Sequence, residues 1–301
     1  MKSADIKKLV LEAGAVATGI AKARPVDQEA EDLYQSWINA GRHGEMEYME
    51  RYAEVRHDPR LLLNGAESII VAAFNYYTPA NHGEAVAGGS GPLKWARYAL
   101  GRDYHEEIRD RLSAVAGEIT SLTGAQCRVT VDTAPLRERY WAVEAGLGFI
   151  GVNNQLIIPG TGSWVLLGEI ITTLPLEADE PCRLSCDGCM RCVKACPGRA
   201  LDGHGGMDAG RCMSYLTIEY RGEGPIGCGD RIYGCDICQE VCPHNSCASP
   251  SEIPAFAPRK SILSLTRDDI LTMEQGEFSR IFTHSAIKRT KLAGLRRNAG
   301  G

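Results

Sequence analysis

The chain has 301 residues, 44% apolar and 24% charged, with a formal net charge of −5 at pH 7. That is enough apolar side chain for one large core or two modest ones, and it excludes a disordered chain. The net acidity excludes a protein that coats nucleic acid through its overall charge.

Ile6, Leu9, Val10 and Ala13 share one face of a helix predicted over Asp5 to Ala13, with Ser3 as candidate N-cap and Gly14 at its end. This opening reads as an amphipathic helix, not as the apolar core of a cleavable signal. A second helix is predicted from Asp27 to Ala40, ending at Gly41. Ser68 to Tyr77 is β-branched and aromatic and reads as a buried strand, followed by a Gly- and Ala-rich loop through Asn81 to Pro92. Ile108, Leu112, Val115, Ile119 and Leu122 step by three and four, giving a helix over His105 to Leu122. A strand over Cys127 to Asp132, a helix over Pro135 to Ala145 with Pro at its start, and strands at Leu156 to Ile158 and Trp164 to Thr172 complete the series. The longest apolar stretch, Trp164 to Leu176, is too short to span a bilayer and contains Glu169.

Residues 1–178 therefore read as a mixed α+β or α/β layer domain. Residues 179–250 are rich in Cys, Gly and Pro, as in a small domain held by metal. Residues 251–301 return to weak helical patterning. From Phe278 onward there are six basic residues and no acid, a run that reads first as a solvated helix and second as a phosphate-binding tail.

Nine of the twelve cysteines lie between Cys186 and Cys242. Without a signal segment they read as reduced, cytoplasmic metal ligands. Cys186-x2-Cys189-x2-Cys192-x3-Cys196-Pro197 has the spacing of a bacterial ferredoxin: three thiolates hold one cubane, and the fourth turns to the other cluster. Cys235-x2-Cys238-x3-Cys242-Pro243 is a second run lacking its first cysteine, for which Cys212 and Cys228 are the candidates. The simplest assignment gives one [4Fe–4S] cluster to Cys186, Cys189, Cys192 and Cys242, and the other to Cys196, Cys212, Cys235 and Cys238. A zinc ribbon also uses CxxC pairs but lacks the repeated terminal Cys-Pro. Cys182-x3-Cys186-x2-Cys189 mimics a radical-SAM motif with cysteines already claimed, and Gly146-x-Gly148-x-x-Gly151 follows a helix, the reverse of a dinucleotide-binding turn.

Several stretches together resemble the epoxyqueuosine reductases: Arg56-His-Asp-Pro-Arg-Leu-Leu-Leu63, Arg97-Tyr-Ala-Leu-Gly-Arg-Asp-Tyr-His105, Val131-Asp-Thr-Ala-Pro135, Ala145-Gly-Leu-Gly-Phe-Ile-Gly151, Gly162-Ser-Trp164 through Gly168-Glu169, and both cysteine runs with Tyr233-Gly-Cys235-Asp-Ile-Cys238. The resemblance covers nearly the whole chain, in the same order. It implies a nitroreductase-like domain that binds cobalamin, a two-cluster domain that reduces it, and reduction of epoxyqueuosine to queuosine at the wobble position of a tRNA. It also implies a cytoplasmic monomer fed by an external flavodoxin- or ferredoxin-type donor.

By the same resemblance Asp132 is the acid that protonates the epoxide oxygen, and burial is expected to raise its pKa; its ordinary alternative is a helix cap. Tyr104 falls in the active-site region. Arg56, Ala96, Leu156, Leu167 and Ile218 match cobalamin contacts, the last four through backbone groups, and Asp236 falls where a cluster faces the corrin. The Asp-x-His-x-x-Gly motif that supplies an axial His is absent, since Met207 breaks the run begun by Asp202-Gly-His204. Val152-Asn153 stands where relatives often carry Lys-Asn, and longer members add C-terminal helical repeats. The basic tail, with Lys288, Arg289, Lys291, Arg296 and Arg297, is the candidate tRNA contact. Two rivals remain from the residues alone: a corrinoid iron–sulfur reductase acting on a small molecule, and a non-catalytic electron-transfer subunit.

Overall fold

The computed structural model describes residues 1–80, 92–224 and 226–300; the loop expected through Asn81 to Pro92 lies, but for Pro92, outside them. Helix α1 (Ser3–Glu12) runs on to the turn at Gly14, whose φ is +97°. Ser3 is inside the helix and donates to Glu177 O at 3.1 Å, so it is not the cap; the Asp5 carboxylate instead accepts the Lys2 N–H at 2.9 Å. Strand β1 (Ala17–Lys22), α2 (Gln28–Asn39), the short α3 (Ala53–His57) and β2 (Ser68–Asn75) follow. After β3 (Lys94–Trp95) comes α4 (Tyr104–Thr123), capped by Asp103, which accepts the His105 N–H at 3.1 Å. Then come β4 (Cys127–Thr130), α5 (Glu138–Glu144), β5 (Phe149–Ile150), β6 (Leu156–Ile157) and β7 (Val165–Thr172). Helix α5 starts later than expected. Bonds from Thr133 N to Val131 O and from Leu136 N to Ala134 O hold residues 131–136 in tight turns.

Strands β1, β2, β7 and β4 form one sheet in that order, and every pair is antiparallel. The domain is therefore α+β rather than a parallel α/β sheet. Residues of β2 alternate between two cores, which is why its sequence is apolar without a break. Ile70, Ala72 and Phe74 pack with Ile6, Val10, Ile108, Leu112 and Ile119 on the face covered by α1 and α4. Ile69, Val71 and Ala73 pack with Trp141, Ala142 and Leu167 on the face covered by α5. Gly19 allows β1 to approach α5: a Cβ there would stand 1.9 Å from Ala145 O.

Beyond the sheet lie α6 (Arg191–Ala195), α7 (Met213–Ile218), β8 (Arg231–Tyr233), α8 (Ile237–Glu240), α9 (Lys260–Leu263), α10 (Arg267–Thr272), α11 (Gln275–Ile281) and α12 (Lys291–Gly300). Strand β8 pairs in parallel with β3. A third core joins Leu93, Trp95 and Leu100 to Ile232 and Tyr233, and to Ile262, Phe282, Ile287 and Leu295. The C-terminal segment thus packs on both the sheet region and the cysteine region instead of standing apart.

A Gly19→Ala variant drives a methyl group into a backbone carbonyl that cannot swing aside. Its thermal unfolding midpoint should fall, corresponding to roughly 1–3 kcal/mol or more of lost stability; a midpoint equal to wild type would show that β1 is not held against α5.

A candidate redox and proton-transfer site

The cysteines fall into two groups. Cys186, Cys189, Cys192 and Cys242 line one cavity together with Val152, Asn153, Ile157 and Arg191. Cys212, Cys235 and Cys238 lie within electrostatic reach of one another, and Cys196 within reach of Cys212. Helix α6, which carries Cys192, packs on α8, which carries Cys238. Backbone N–H groups already point at sulfur: Val152 N donates to Cys186 at 3.5 Å and Ala200 N to Cys196 at 3.3 Å. Two four-thiol sets with N–H donors fit two cubanes. Cys228 is buried elsewhere, its Sγ donating to Asn298 O at 3.2 Å. The geometry thus joins Cys212, not Cys228, to the second set.

The second set is fastened to the sheet domain by Arg97, a residue that no sequence pattern singles out by itself. Its guanidinium is buried, bonding Asp236 Oδ2 at 3.1 Å, Glu240 Oε1 at 2.7 Å and Thr78 O at 2.8 Å, and it lies 4.9 Å from the centre of the Trp164 ring. Burial pushes the Asp236 carboxyl up to about 6 against the pull of Arg97. Asn245 adds a second link, accepting from Ser163 N at 2.7 Å and donating to Gln239 O at 2.8 Å.

Asp132 sits in the turn after β4 with φ +52°, a left-handed conformation that costs a non-glycine residue about 1 kcal/mol or more. Its N–H donates to Glu138 Oε1, and its Oδ2 lies 3.0 Å from His105 Nε2. Its side chain is 55% exposed, and desolvation still acts on its pKa. Desolvation alone would raise that pKa. Hydrogen bonds from His105 and Tyr104 outweigh it and hold the carboxyl below its usual value, opposite to the expected direction. Desolvation likewise opposes charge on His105, but Asp103 at 2.7 Å from Nδ1 and Asp132 at Nε2 raise its pKa to about 9. Burial and the charge of Asp132 push Glu138 up to about 8, and the wholly buried Glu169 well above the usual range.

Of the remaining expected positions, Ala96 bonds Tyr233 O through its N–H at 2.7 Å and packs on Gly234, beside Asp236. Ile218 ends α7 in the third core, and Leu156 and Leu167 share the core beneath α5. Arg56 donates to Tyr48 O at 2.9 Å and so pins a neighbouring turn. The basic tail divides. Arg289 pairs with Glu219 at 2.8 Å, lies over Tyr48, and its charge reaches Asp132; Lys288 and Lys291 are exposed. Arg297 spends its guanidinium on the carbonyls of Leu216, Tyr220 and Gly222, and Arg296 donates to Met273 O. These bonds hold α12 in place, with Arg296 still exposed and Arg297 half-buried.

Residues 56–133 match the family model described as epoxyqueuosine reductase QueG, DUF1730, and residues 185–245 match a 4Fe–4S double cluster binding domain. The chain is 41% identical to the epoxyqueuosine reductase of Gloeobacter violaceus, covering 99% of this chain and 94% of that one. It is 37% identical to that of Cellulophaga algicola, covering 97% and 95%. A solved epoxyqueuosine reductase with an epoxyqueuosine-modified tRNA-Tyr stem loop superposes with a TM-score of 0.90 at 29% identity, covering 98% of this chain and 79% of that one. A Bacillus subtilis structure whose catalytic aspartate loop is swung out of the active site gives a TM-score of 0.89 at 28% identity, with the same coverage.

Iron analysis separates the cysteine roles. Wild-type protein reconstituted without oxygen should carry about eight irons, Cys228→Ser the same, and Cys212→Ser about four or fewer. Loss of iron in Cys228→Ser alone would reverse the assignment.

Proposed function

The chain belongs to the epoxyqueuosine reductase family, and from that premise we infer that it reduces the epoxide of epoxyqueuosine at the tRNA wobble position, giving queuosine. The observation that carries this reading is the acid–base cluster round Asp132, joined through Tyr104, Tyr98 and Tyr233 to the hairpin of the second cysteine set. Opening the epoxide to an alkene and water consumes two electrons and two protons. Bound cobalamin would supply the metal-centred reduction, with the clusters as its electron source. The residues present fit such a group: His105 and Tyr104 gather acid–base groups at Asp132, and Tyr104, Tyr98 and Tyr233 tie that place to the hairpin that carries Cys235.

The chain's own residues handle the protons. At neutral pH the His105 imidazole holds one at Nε2, 3.0 Å from Asp132, and Glu138 holds another. Asp132, held in its strained turn against His105, passes protons to the departing oxygen and is refilled from His105 and Glu138. Tyr104 orients the Asp132 carboxylate. Lys288, Arg289 and Lys291 are the proposed contacts for anticodon-stem phosphates, with Arg289 nearest the reacting nucleoside. Ala96, Asp236 and Ile218 are proposed for the cluster side of the corrin, and Arg56, Leu156 and Leu167 for its remaining contacts. A small external electron carrier and a cytoplasmic monomer complete the proposal. Among the described residues no helix is long and apolar enough to cross a membrane.

Incubation without oxygen of holoenzyme, reductant and epoxyqueuosine-bearing tRNA should yield queuosine, read by nucleoside mass analysis; turnover of a small halogenated organic but never of tRNA would favour the rival corrinoid reductase. Asp132→Asn should lower kcat by about 10²–10⁴-fold while keeping iron content and corrin uptake. Wild-type kcat should fall as pH rises through about 8 to 9, where Glu138 and then His105 lose their protons, and His105→Gln should shift that limb down toward the Glu138 step; an unchanged limb excludes His105 as the reservoir. Lys288→Ala with Lys291→Ala should weaken tRNA binding and flatten its dependence on salt by roughly one unit of slope per lost contact.

A further inference from the structure

The two cysteine sets differ in exposure. Of the eight thiols, Cys189 alone is exposed, and the cavity of its set opens beside Arg191. The other set is half-buried and faces inward, with Asn153 donating to Cys238 O at 3.4 Å and Asp236 buried beneath Arg97. An electron entering from outside therefore meets the Cys189 set first.

The segment that carries the thiols also carries free cations, with Arg191 at the Cys189 cavity itself. Between Arg183 and Cys212 there are five basic residues, Arg183, Arg191, Lys194, Arg199 and Arg211, against three acids, in a chain of net charge −5. All five are exposed, and among the described residues none has a carboxylate within 4.0 Å or a side-chain hydrogen bond. Elsewhere comparable arginines are engaged: Arg97 with Asp236, Arg102 with Glu106, Arg289 with Glu219. Of the three acids, Asp202 is already occupied by the N–H groups of His204 and Gly206 and faces Arg42 at 3.9 Å. Arg191 and Lys194 stand three apart on α6, and the backbone of Arg211 abuts Gly198 next to Arg199. Leu184, 59% exposed, adds an apolar contact beside the cations.

We propose that this face, from Leu184 across α6 to Arg199 and Arg211, is the docking surface for a small acidic electron-carrier protein that reduces the Cys189 cluster. The proposal rests on the reading that these cysteines hold the clusters. Unpaired cations at a redox entry raise the encounter rate of an acidic partner by about 10–10³-fold at low ionic strength, and the gain is screened by salt. The transfer is a single electron from carrier to cluster, with no bond made or broken.

The test follows bleaching of the cluster absorption in holoenzyme mixed with a reduced acidic flavodoxin, against dithionite as a small reductant. No tRNA is present, so the result does not depend on the proposed substrate; queuosine formation with dithionite tests that separately. In Lys194→Glu/Arg199→Glu the flavodoxin-driven rate should fall at least about tenfold at low salt and converge with wild type at high salt, while the rate with dithionite, a small anion, falls far less. Arg211→Glu alone should give a smaller loss of the same kind. Equal flavodoxin rates in wild type and variants at low salt, or an equal loss with dithionite, would overturn the docking role.

Discussion

The buried Arg97 charge is the constraint on which the arrangement of the site depends. A guanidinium 8% exposed must be matched, and the groups that match it come from both halves of the molecule. Thr78 O and the Trp164 ring belong to the sheet domain, whereas Asp236 and Glu240 flank Cys238 in the second cysteine hairpin. Satisfying one charge therefore fixes the inner thiol set against the sheet, a coupling that apolar packing alone would leave free to slide. It also fixes Ala96 against Gly234, since Arg97 N donates to Asp236 at 2.9 Å just as Ala96 N donates to Tyr233 O at 2.7 Å.

The proton side works by opposed environments. His105 is flanked by two carboxylates and is held charged, Asp132 is ionised by its neighbours, and Glu138, buried beside that ionised carboxylate, is kept protonated. Neighbouring groups driven apart in this way form a donor and an acceptor at one pH. The left-handed turn at Asp132 belongs to the same design, because it ends the β4 line where the carboxylate meets His105 Nε2 at 3.0 Å.

Much of this was legible in the sequence where a single local rule decides. The unbroken apolar run of β2 and the three-and-four stepping of α4 gave their elements correctly, and of the spaced cysteines Cys186, Cys189, Cys192 and Cys242 stand round one cavity. Strand β1 escaped because Ala17, Gly19 and Ala21 are small residues chosen for close approach to α5, and smallness carries no strand signal. The role of Arg97 escaped because a lone arginine in a motif says nothing about burial. The structural bonds of Arg296 and Arg297 escaped for the complementary reason: charge clustering in sequence does not reveal which carbonyls the fold will bring to the guanidinium groups. The direction of the Asp132 shift needed the neighbours, since burial and hydrogen bonding act with opposite signs on a carboxylate.

One short stretch, Arg97 to His105, joins the two halves of the chemistry. Its first residue grips the hairpin of Cys235 and Cys238; Tyr98 reaches Tyr233, two residues before Cys235, with 3.3 Å between hydroxyls; its last two residues hold Asp132. Tyr98 and Tyr104 meet edge to face between these ends, 5.8 Å apart. Electron supply and proton supply are thus referenced to one rigid element, α4 and the turn before it, rather than to two surfaces that must find each other. A reduction that needs both at a single epoxide gains from such shared anchoring, because the relative position of donor thiols and acid is then set when the chain folds and not when the substrate arrives.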